Sequence, residues 1–422
     1  MPDMEVELIT IGDELLLGFT IDTNAAHLAR ELASIGIGIR RRASVGDVAE
    51  DIAAAVRNGI ERTGAVITTG GLGPTSDDLT KPSIAALFGR RMALDEEHVA
   101  WMEQRWLQRF QRKMPESNRA QAMIPEGATK LANRHGSAPG IWLEDEQGRW
   151  VAMLPGVPRE MKGMLADTLL PRLRERTSAA GALTVVRSRT LRTTGVAESL
   201  LADQIDPVRE QLGPITLAYL PGADGVDLRL TTRGVSLNGA DEILSTAAEL
   251  LRAKLGRSIY AEGDADLTSI VLDRCRDLGY TIAVAESCTG GLLGARLTSI
   301  PGSSEVVLGG VIAYANEVKL SLLGVDAADL AKHGAVSEQI ARQMAEGVRG
   351  RLGATIGISI TGVAGPGGGT PEKPVGTVWI AGALPEGTRA VQLKLIGDRE
   401  EIRRRATQSS LELVRRALLE RD

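Results

Sequence analysis

A serine and a lysine in the last third of the chain have the residue types of a nucleophile and its base. Ser287 follows a short apolar run that ends at Ala285 and precedes a helical segment, so it lies at a strand-to-helix turn. A serine there either caps the helix or faces a ligand with backbone N–H groups close by. None of the four histidines lies in a motif suited to a base. A buried lysine with a lowered pKa can replace histidine, which makes Lys319 the candidate, although a single helix lysine is more often solvated.

A glycine-rich turn and two arginines supply further candidates in the same region. Residues 361–369 follow an apolar run and contain five glycines, too many for a plain connection. The turn either offers backbone N–H groups to an oxyanion or phosphate, or is a flexible surface loop. The last helix begins at Asp398 with Glu401 three residues on, the spacing of a capping box. Arg399 and Arg403 in its first turns either bind phosphate or belong to a solvated face.

A second glycine loop, residues 70–78, lies near the N-terminus and ends in two acids. It follows an apolar strand and precedes a helix, so its N–H groups can approach a phosphate. Asp77 and Asp78 would repel that phosphate unless a divalent cation lay between them. Glu14 and Asp47 follow the first two strands and reach the same sheet edge. Their convergence predicts a metal-bridged phosphate site, and the alternative is a tight turn with an aspartate helix cap.

The elements that position these residues alternate between strand and helix, which predicts parallel, doubly wound sheets at both ends of the chain. Asp22 and Asp47 are expected to cap the helices after the first two strands, and a helix is expected over Ala197–Leu212. A small-residue linker at 178–181 opens an α+β middle block. The predicted strands are Val6–Ile11, Ile37–Val45, Ala65–Thr69, Leu183–Leu191, Thr216–Leu220, Val226–Thr232, Thr281–Ala285, Val306–Tyr314, Thr355–Ile360, Gly376–Ala383 and Ala390–Leu395.

Length and composition limit the classes of protein to which the chain can belong. With 422 residues, 43% of them hydrophobic and 24% charged, we expect two to three soluble globular domains. The net charge of −5 offers no electrostatic footprint for nucleic acid, and no stretch is long enough to span a bilayer. The N-terminus does not read as a signal peptide. Cys275 and Cys288 lack metal-ligand spacing, so we expect free thiols in a reducing cytoplasm.

The first block, residues 1–177, resembles the three-layer molybdopterin-binding-like fold and, more closely, the N-terminal domain of the CinA family. The resemblance rests on Ile11–Leu16, Asp22–Asn24, Gly70–Asp78, Asn118–Arg119, Ala138–Gly140 and Leu154–Met161. It implies a pyrophosphatase that splits ADP-ribose into AMP and ribose 5-phosphate with a divalent metal ion. The expected metal ligands are Glu14, Asp77 and Asp78. The expected ADP-ribose and phosphate contacts are Asn24, Asp47, Gly70, Gly71, Gly73, Pro74 and Thr75.

The last block, residues 261–422, resembles the α/β C-terminal domain of the same family. The resemblance rests on Glu286–Gly291, Tyr314–Lys319, Gly334–Ser337, Thr361–Pro366, Lys373–Val378 and Gly397–Glu400. It implies an amidohydrolase, without metal or organic cofactor, that converts nicotinamide mononucleotide (NMN) to nicotinate mononucleotide and ammonia. Ser287 would attack the amide, Lys319 would take its proton and Tyr314 would help to hold Lys319, while Glu317 should face solvent. The expected substrate contacts are Cys288, Thr289, Gly290, Gly291, Thr361, Gly362, Gly365, Arg399 and Arg403.

The middle block, residues 178–260, is similar to the KH-like linking domain of that family. Because the chain is acidic, a structural or dimer-forming role is favoured over RNA binding. The expected picture is a cytoplasmic homodimer of pyridine-nucleotide salvage that binds NMN and ADP-ribose but neither membrane nor nucleic acid. Two alternatives stay open at this point, a molybdopterin-handling protein and a non-catalytic scaffold in competence or the DNA damage response.

Overall fold

A computed structural model describes residues 4–178 and 185–420 and divides the chain into two compact units. One unit comprises Met1–Arg187 with Thr232–Glu242, and the other comprises Ser188–Thr231 with Ile243–Asp422. Most of the linker predicted at 178–181 lies outside the described residues. Most of the middle block thus shares a unit with the C-terminal block, and the three-way boundaries at 177 and 260 stay a prediction.

The first unit is built on a six-stranded sheet with four parallel strands and an antiparallel edge. Its strands in spatial order are β2 (Gly38–Val45), β1 (Glu5–Ile11), β3 (Ala65–Thr69), β8 (Trp150–Leu154), β7 (Gly140–Glu144) and β6 (Thr129–Leu131). A separate short pair is formed by β4 (Met92–Leu94) and β5 (Met123–Pro125). The first three predicted strands are therefore confirmed as neighbours in one parallel sheet.

Helices cover both faces of this sheet. They are α1 (Asp13–Leu16), α2 (Thr23–Ser34), α3 (Ala49–Thr63), α4 (Thr80–Leu87), α5 (Glu96–Phe110), α6 (Pro158–Met164) and α7 (Leu170–Ser178). On one face Leu28 of α2 packs with Leu8 of β1, and on the other Val56 of α3 packs with Ile9 of the same strand. Neighbouring residues of β1 thus enter two separate cores, as the period-two alternation of a strand requires. The predicted three-layer architecture is confirmed.

The two predicted caps in this unit have different outcomes. The Asp22 carboxylate accepts the N–H of Ala25 at 2.8 Å, so it caps α2 as expected. The prediction for Asp47 is wrong, because α3 has Val48 at its N-cap and no side-chain cap. The Asp47 carboxylate instead accepts the backbone N–H of Asp13 at 3.1 Å. This bond ties the loop after β2 to the loop after β1.

The middle block forms a four-stranded sheet in the order β10 (Thr216–Gly222), β11 (Gly225–Val235), β9 (Val185–Thr193) and β12 (Ile259–Glu262). Two helices, α8 (Glu198–Ile205) and α9 (Leu237–Leu255), complete it. The single helix predicted over Ala197–Leu212 is wrong in its second half, where a 3₁₀ segment covers Asp206–Leu212. The change comes at Pro207, because proline has no N–H with which to continue an α-helical ladder.

The C-terminal block carries a five-stranded sheet in the order β14 (Val307–Ile312), β13 (Ile282–Glu286), β15 (Ile356–Gly362), β16 (Thr377–Leu384) and β17 (Gly387–Lys394). Strands β14, β13 and β15 are parallel to one another, β16 is antiparallel to β15, and β17 is antiparallel to β16. The helices are α10 (Leu267–Leu278), α11 (Leu292–Thr298), α12 (Asn316–Leu323), α13 (Ala327–His333), α14 (Glu338–Leu352) and α15 (Arg399–Leu419). No helix in the described ranges combines the length and apolar character that crossing a bilayer requires.

Candidate active site

The carboxyl ends of three adjacent parallel strands bring the C-terminal motifs together. β13 lies between β14 and β15, and each strand leads into one of the segments singled out from the sequence. The Ser287 N–H donates to the carbonyl of Ile360 at 2.9 Å. On the other side, the Ala313 N–H donates to the carbonyl of Glu286 at 2.7 Å. The sheet ladder thus continues past the strand ends and fixes the serine between its neighbours.

Lys319 reaches back from the first turns of α12 to the serine. Its Nζ lies 3.2 Å from Ser287 Oγ, 2.7 Å from the carbonyl oxygen of Ala313 and 3.2 Å from that of Tyr314. The residue is only 1% exposed, so the alternative of a solvated helix lysine is wrong. Burial lowers the pKa of Lys319, while the opposing effect of Glu317 is smaller. Glu317 is exposed, as predicted.

Tyr314 contributes to this arrangement through its backbone and not through its ring. Its carbonyl accepts a hydrogen bond from Lys319, but the residue is 62% exposed. The phenol oxygen instead accepts a hydrogen bond from Arg399 Nη2 at 3.3 Å. The expectation that Tyr314 helps to hold Lys319 therefore applies to the carbonyl alone. The second carbonyl that holds the lysine belongs to Ala313, which was missed because its side chain has no functional group.

Glu286, directly before the serine, organises the turn into α11. Its buried carboxylate accepts the N–H groups of Gly291 at 3.1 Å, Leu293 at 3.0 Å and Gly294 at 2.8 Å. These are N–H groups that the start of a helix leaves unpaired. The helix begins at Leu292, so the alternative that Ser287 is its cap is wrong. The sequence does carry a signal for Glu286, an acid at the end of an apolar strand that can be buried only against donors.

The donors that remain near Ser287 are therefore in the loop and not in the helix. Gly291 donates to Glu286, and Gly290 donates to the carbonyl of Ser287 at 3.1 Å. Among the described residues, the backbone N–H groups of Cys288 and Thr289 donate to no backbone carbonyl. Burial raises the pKa of the Cys288 thiol to about 11, which leaves it protonated and unreactive at neutral pH.

The two arginines of α15 border the same loops. Arg399 Nη1 donates to the carbonyl of Gly365 at 2.7 Å, and Arg403 Nη2 donates to that of Thr289 at 2.7 Å. Both line a cavity of about 560 Å³, and the capping box of Asp398 and Glu401 that starts their helix is confirmed. Each guanidinium keeps further N–H donors, because it has five. The structure therefore brings these arginines to the serine loop and the glycine turn, and their contact with a substrate phosphate stays a prediction.

The remaining predicted contacts in this domain have structural partners. The Thr361 hydroxyl donates to the carbonyl of Ala335 at 2.8 Å and is 1% exposed, so it is committed to the fold. Gly362 ends β15, where a Cβ would lie 2.7 Å from Cγ2 of Val378. The fold therefore accounts for the residue type at both positions.

The N-terminal glycine loop forms a cleft of about 420 Å³ at the carboxyl edge of the first sheet. The predicted residues that line it are Glu14, Asp47, Gly70, Gly71, Gly73, Pro74, Asp77 and Asp78. Gly70 has φ of 111°, and a Cβ there would lie 2.1 Å from the carbonyl oxygen of Ile11. Only glycine permits this approach of two strand ends. Asn24 lies outside the lining and donates to the carbonyl of Gly156 at 2.7 Å.

Asp78 anchors the loop as well as lining the cleft. Its carboxylate accepts the N–H of Gly73 at 2.7 Å, the N–H of Thr75 at 2.8 Å and the Thr75 hydroxyl at 2.6 Å. The alternative of an aspartate cap on α4 is wrong, because its N-cap is Leu79 without a side-chain bond. Thr75 was expected to donate to phosphate, but its hydroxyl is engaged by Asp78.

The other acids of this cleft are within electrostatic reach of one another. The pKa of Asp47 is raised by burial and, beyond that, by the nearby charges of Asp13, Glu14 and Asp77. Across the described residues, no three acid, histidine or cysteine side chains are arranged to hold one ion. The acids gather around the cleft without converging on a single point.

Each of the three blocks matches a known domain family. Residues 7–175 match the probable molybdopterin binding domain, residues 188–261 the damage-inducible protein CinA KH domain and residues 264–418 the CinA C-terminal domain. Together these matches follow the order of the three predicted blocks.

Similar proteins extend over the full chain. A CinA-like protein from Gemmatimonas aurantiaca is 64% identical over 98% of this chain and 96% of its own length. A CinA-like protein from Gloeobacter violaceus is 45% identical over the same shares. A putative competence-damage inducible protein from Clostridium novyi is 40% identical over 99% of each chain. Similarity of this extent covers both sites described above.

Proposed function

The chain belongs to the CinA family, and we propose that its C-terminal domain is an amidohydrolase that converts NMN and water to nicotinate mononucleotide and ammonia. The observation that carries the proposal is the buried Lys319 with its Nζ 3.2 Å from Ser287 Oγ. A serine hydroxyl and a lysine amine at this distance form a nucleophile and base pair that needs no histidine.

The two backbone carbonyls that contact Lys319 indicate which protonation state of its amine can act as the base. A neutral amine has two N–H groups and one lone pair. The carbonyls of Ala313 and Tyr314 accept the two N–H groups, which leaves the lone pair for the Ser287 hydroxyl. Because burial already lowers the pKa of Lys319, this neutral form is reached at a lower pH than for a solvated lysine. The two carbonyls therefore orient the neutral amine, and burial favours that form.

In the proposed reaction, Ser287 Oγ bonds to the carboxamide carbon while its proton passes to Lys319 Nζ. The oxyanion that forms needs donors, and the backbone N–H groups of Cys288 and Thr289 are those next to the nucleophile that, among the described residues, donate to no backbone carbonyl. The C–N bond then breaks, and the amide nitrogen leaves as ammonia with the proton from Lys319. Water deprotonated by the same lysine hydrolyses the resulting ester and releases the carboxylic acid.

The choice of a nucleotide as substrate follows from the arginines. Arg399 and Arg403 border the loops that hold Ser287 and present guanidinium groups to the adjoining cavity. A phosphate accepts bidentate hydrogen bonds from such groups. We therefore place the NMN phosphate at these two arginines and the carboxamide at Ser287.

Ammonia release from NMN by the purified chain tests this proposal. Ser287→Ala should retain less than about a tenth of the wild-type rate, a barrier increase above about 1.4 kcal/mol. Ser321→Ala is the matched control, since this serine lies on α12 and its hydroxyl bonds only the carbonyl of Glu317. A normal rate in Ser287→Ala, or no ammonia from the wild-type chain, would refute the assignment.

For the N-terminal domain we propose hydrolysis of ADP-ribose to AMP and ribose 5-phosphate. The favouring observation is the glycine-walled cleft surrounded by acids, where burial and then the charges of the neighbouring acids raise the pKa of Asp47. Such a cleft repels a bare pyrophosphate but suits one that arrives with a cation. Handling of a molybdopterin, the main alternative, would also use the glycine loop, and hydrolysis of ADP-ribose is the activity that separates the two.

The acids fit a divalent cation that is shared with substrate, and do not fit a resident three-ligand site. Mg²⁺ is commonly held by one or two carboxylates together with substrate phosphates. Glu14, Asp47 and Asp77 line the cleft and are the candidates for this, although one Asp47 oxygen accepts the Asp13 N–H. Both oxygens of Asp78 are already bonded to Gly73 and Thr75. A bound cation would neutralise the phosphates, and the loop would hold them in place.

A chelator and two variants separate the role of cation binding from that of holding the loop. EDTA should stop ADP-ribose hydrolysis and leave NMN deamidation intact. Glu14→Gln should weaken hydrolysis in a way that excess Mg²⁺ partly restores. Asp78→Asn should abolish hydrolysis at any Mg²⁺ concentration, because it releases the loop. Full rescue of Asp78→Asn by Mg²⁺ would return Asp78 to the metal ligands, and equal loss of both activities in EDTA would contradict the two-site assignment.

A further inference from the structure

The cavity beside the two arginines of α15 holds more positive charge than a single phosphate uses. Its volume is about 560 Å³, and its lining includes Arg296 and Arg404 in addition to Arg399 and Arg403. The Nε of Arg403 is buried and has no acceptor among the described residues, and an anion in the cavity would supply one. A phosphate at Arg399 and Arg403 leaves Arg296 and Arg404 with no part in binding it.

A residue of the middle block reaches this cavity. Asp224 lies in the two-residue turn of the hairpin formed by β10 and β11, where Gly222 pairs with Gly225. It lines the cavity, and the other lining residues all belong to the C-terminal block. Both parts lie within the same compact unit. The tip of a middle-block hairpin is therefore one wall of the cavity that adjoins Ser287 and its loop.

The hairpin is held at this position by its neighbours. Gly225 has φ of 145°, and a Cβ there would lie 2.0 Å from the carbonyl oxygen of Thr193, so only glycine permits this approach to β9. From the same strand, Arg192 donates to Asp227 at 3.2 Å and to the carbonyl of Ala265 at 3.2 Å. The second bond ties the middle-block sheet to the segment that leads into α10. The position of the hairpin turn therefore follows from the fold around it.

Asp224 lies between two arginines without a close bond to either. Its carboxylate oxygens are 3.7 Å from Arg296 Nη1 and 3.7 Å from Arg404 Nη2, which is beyond hydrogen-bond distance. The Arg296 side chain is mostly buried, and its Nη2 donates to both oxygens of Asp266, at 3.0 and 3.1 Å. Both arginines keep further N–H donors, because each guanidinium has five. Asp224 therefore neutralises charge at these arginines and leaves their donors free.

We propose that Asp224 is a specificity-determining residue of the C-terminal site, where its carboxylate occupies the place of a second phosphate. This role rests on the proposed deamidation of NMN with its phosphate at Arg399 and Arg403. A ligand with one phosphate leaves the carboxylate between its two arginines. A pyrophosphate would bring a second negative charge to Arg296 and Arg404, where Asp224 repels it. The middle block thereby selects mononucleotides over dinucleotides.

Calorimetric titration of the Ser287→Ala chain with NMN and with NAD⁺ tests the proposal without turnover. NAD⁺ carries the same nicotinamide ribose phosphate extended by a second phosphate, and EDTA withholds the cation that the N-terminal cleft is proposed to need. Asp224→Asn should raise the ratio of NAD⁺ affinity to NMN affinity at least about tenfold, because it removes the repulsion and frees two arginines. Asp227→Asn is the matched control, since Asp227 lies on the same hairpin and pairs with Arg192 but does not line the cavity.

A second substitution shows whether a freed arginine causes the gain. Arg404→Gln added to Asp224→Asn should remove most of the gain in the ratio, and a gain that persists would contradict the proposal. A ratio that changes less than about threefold in Asp224→Asn alone would overturn it. So would an equal loss of both affinities, which would mean that Asp224 only holds the hairpin. If the ratio rises as expected but the wild-type chain releases no ammonia from NMN, the selection by Asp224 stands and the proposed deamidation falls.

Discussion

Replacing Glu286 by glutamine tests how the turn that carries Ser287 is held in place. The carboxylate is 1% exposed and accepts three backbone N–H groups at the start of α11. A hydrogen bond to a charged acceptor contributes about 1 kcal/mol more than one to a neutral acceptor, so loss of the charge over three bonds costs about 3 kcal/mol. The glutamine NH₂ group adds a donor where only donors are present. We expect the turn between β13 and α11 to open more often.

Hydrogen exchange measured by mass spectrometry reports on this turn directly. A cost of about 3 kcal/mol corresponds to exchange about a hundredfold faster in peptides covering 287–298, because 1.4 kcal/mol is a factor of ten. Glu401→Gln is the matched control, since that exposed carboxylate accepts only the N–H of Asp398, at 3.1 Å, and its peptide should change less than about fivefold. Exchange in 287–298 within about threefold of wild type would show that Glu286 does not hold the loop.

Three further predictions follow from the titratable groups. The rate of ammonia release from NMN should rise with pH along one ionisation whose pKa lies below the ordinary lysine value. Lys319→Arg should be inactive because guanidinium keeps its proton, whereas Lys332→Met on α13 should not alter the rate. An active Lys319→Arg enzyme would show that the lysine is not the base. Burial lowers the pKa of Lys81 to about 8, so from about pH 8 to 10 the unfolded chain holds this proton and the folded chain does not. Stability relative to Lys81→Met should therefore rise with pH by up to about 2 kcal/mol in urea denaturation, and a constant difference would contradict the effect of burial. Iodoacetamide at pH 7 should leave Cys288 unlabelled in the folded chain, because burial raises its pKa to about 11, and rapid labelling detected by mass spectrometry would show that the thiol is accessible.

The architecture was predictable because apolar strand runs and helix caps are local signals. Ile9 and Leu8 enter opposite cores as alternation requires, and the capping box at Asp398 starts the last helix at the expected residue. The pairing of Ser287 with Lys319 was predicted because both follow apolar strands of one sheet, and from the family resemblance. The change at Pro207 could have been predicted from the proline alone.

The sequence does not specify whether a residue acts through its backbone or its side chain, or which neighbour it bonds. Tyr314 holds the lysine through its carbonyl, and Asp78 bonds its own loop while it lines the cleft. Asp47 bonds the neighbouring loop and not its own helix. Each of these choices depends on where the next strand end lies in space, which residue types and spacing do not specify. Glu286 differs from these three, because its place at the end of an apolar strand is a signal and its partners lie in the turn that follows directly.

The way Lys319 is held has a consequence for how such sites diverge over evolutionary time. Two of the three atoms around its amine are main-chain oxygens, which every amino acid carries. The positions of Ala313 and Tyr314 can therefore accept many substitutions while the base stays where it is, provided the backbone path is kept. Surveys for similar serine–lysine sites that match side chains alone would overlook distant examples. A search pattern of one serine oxygen, one lysine nitrogen and two carbonyl oxygens would find them.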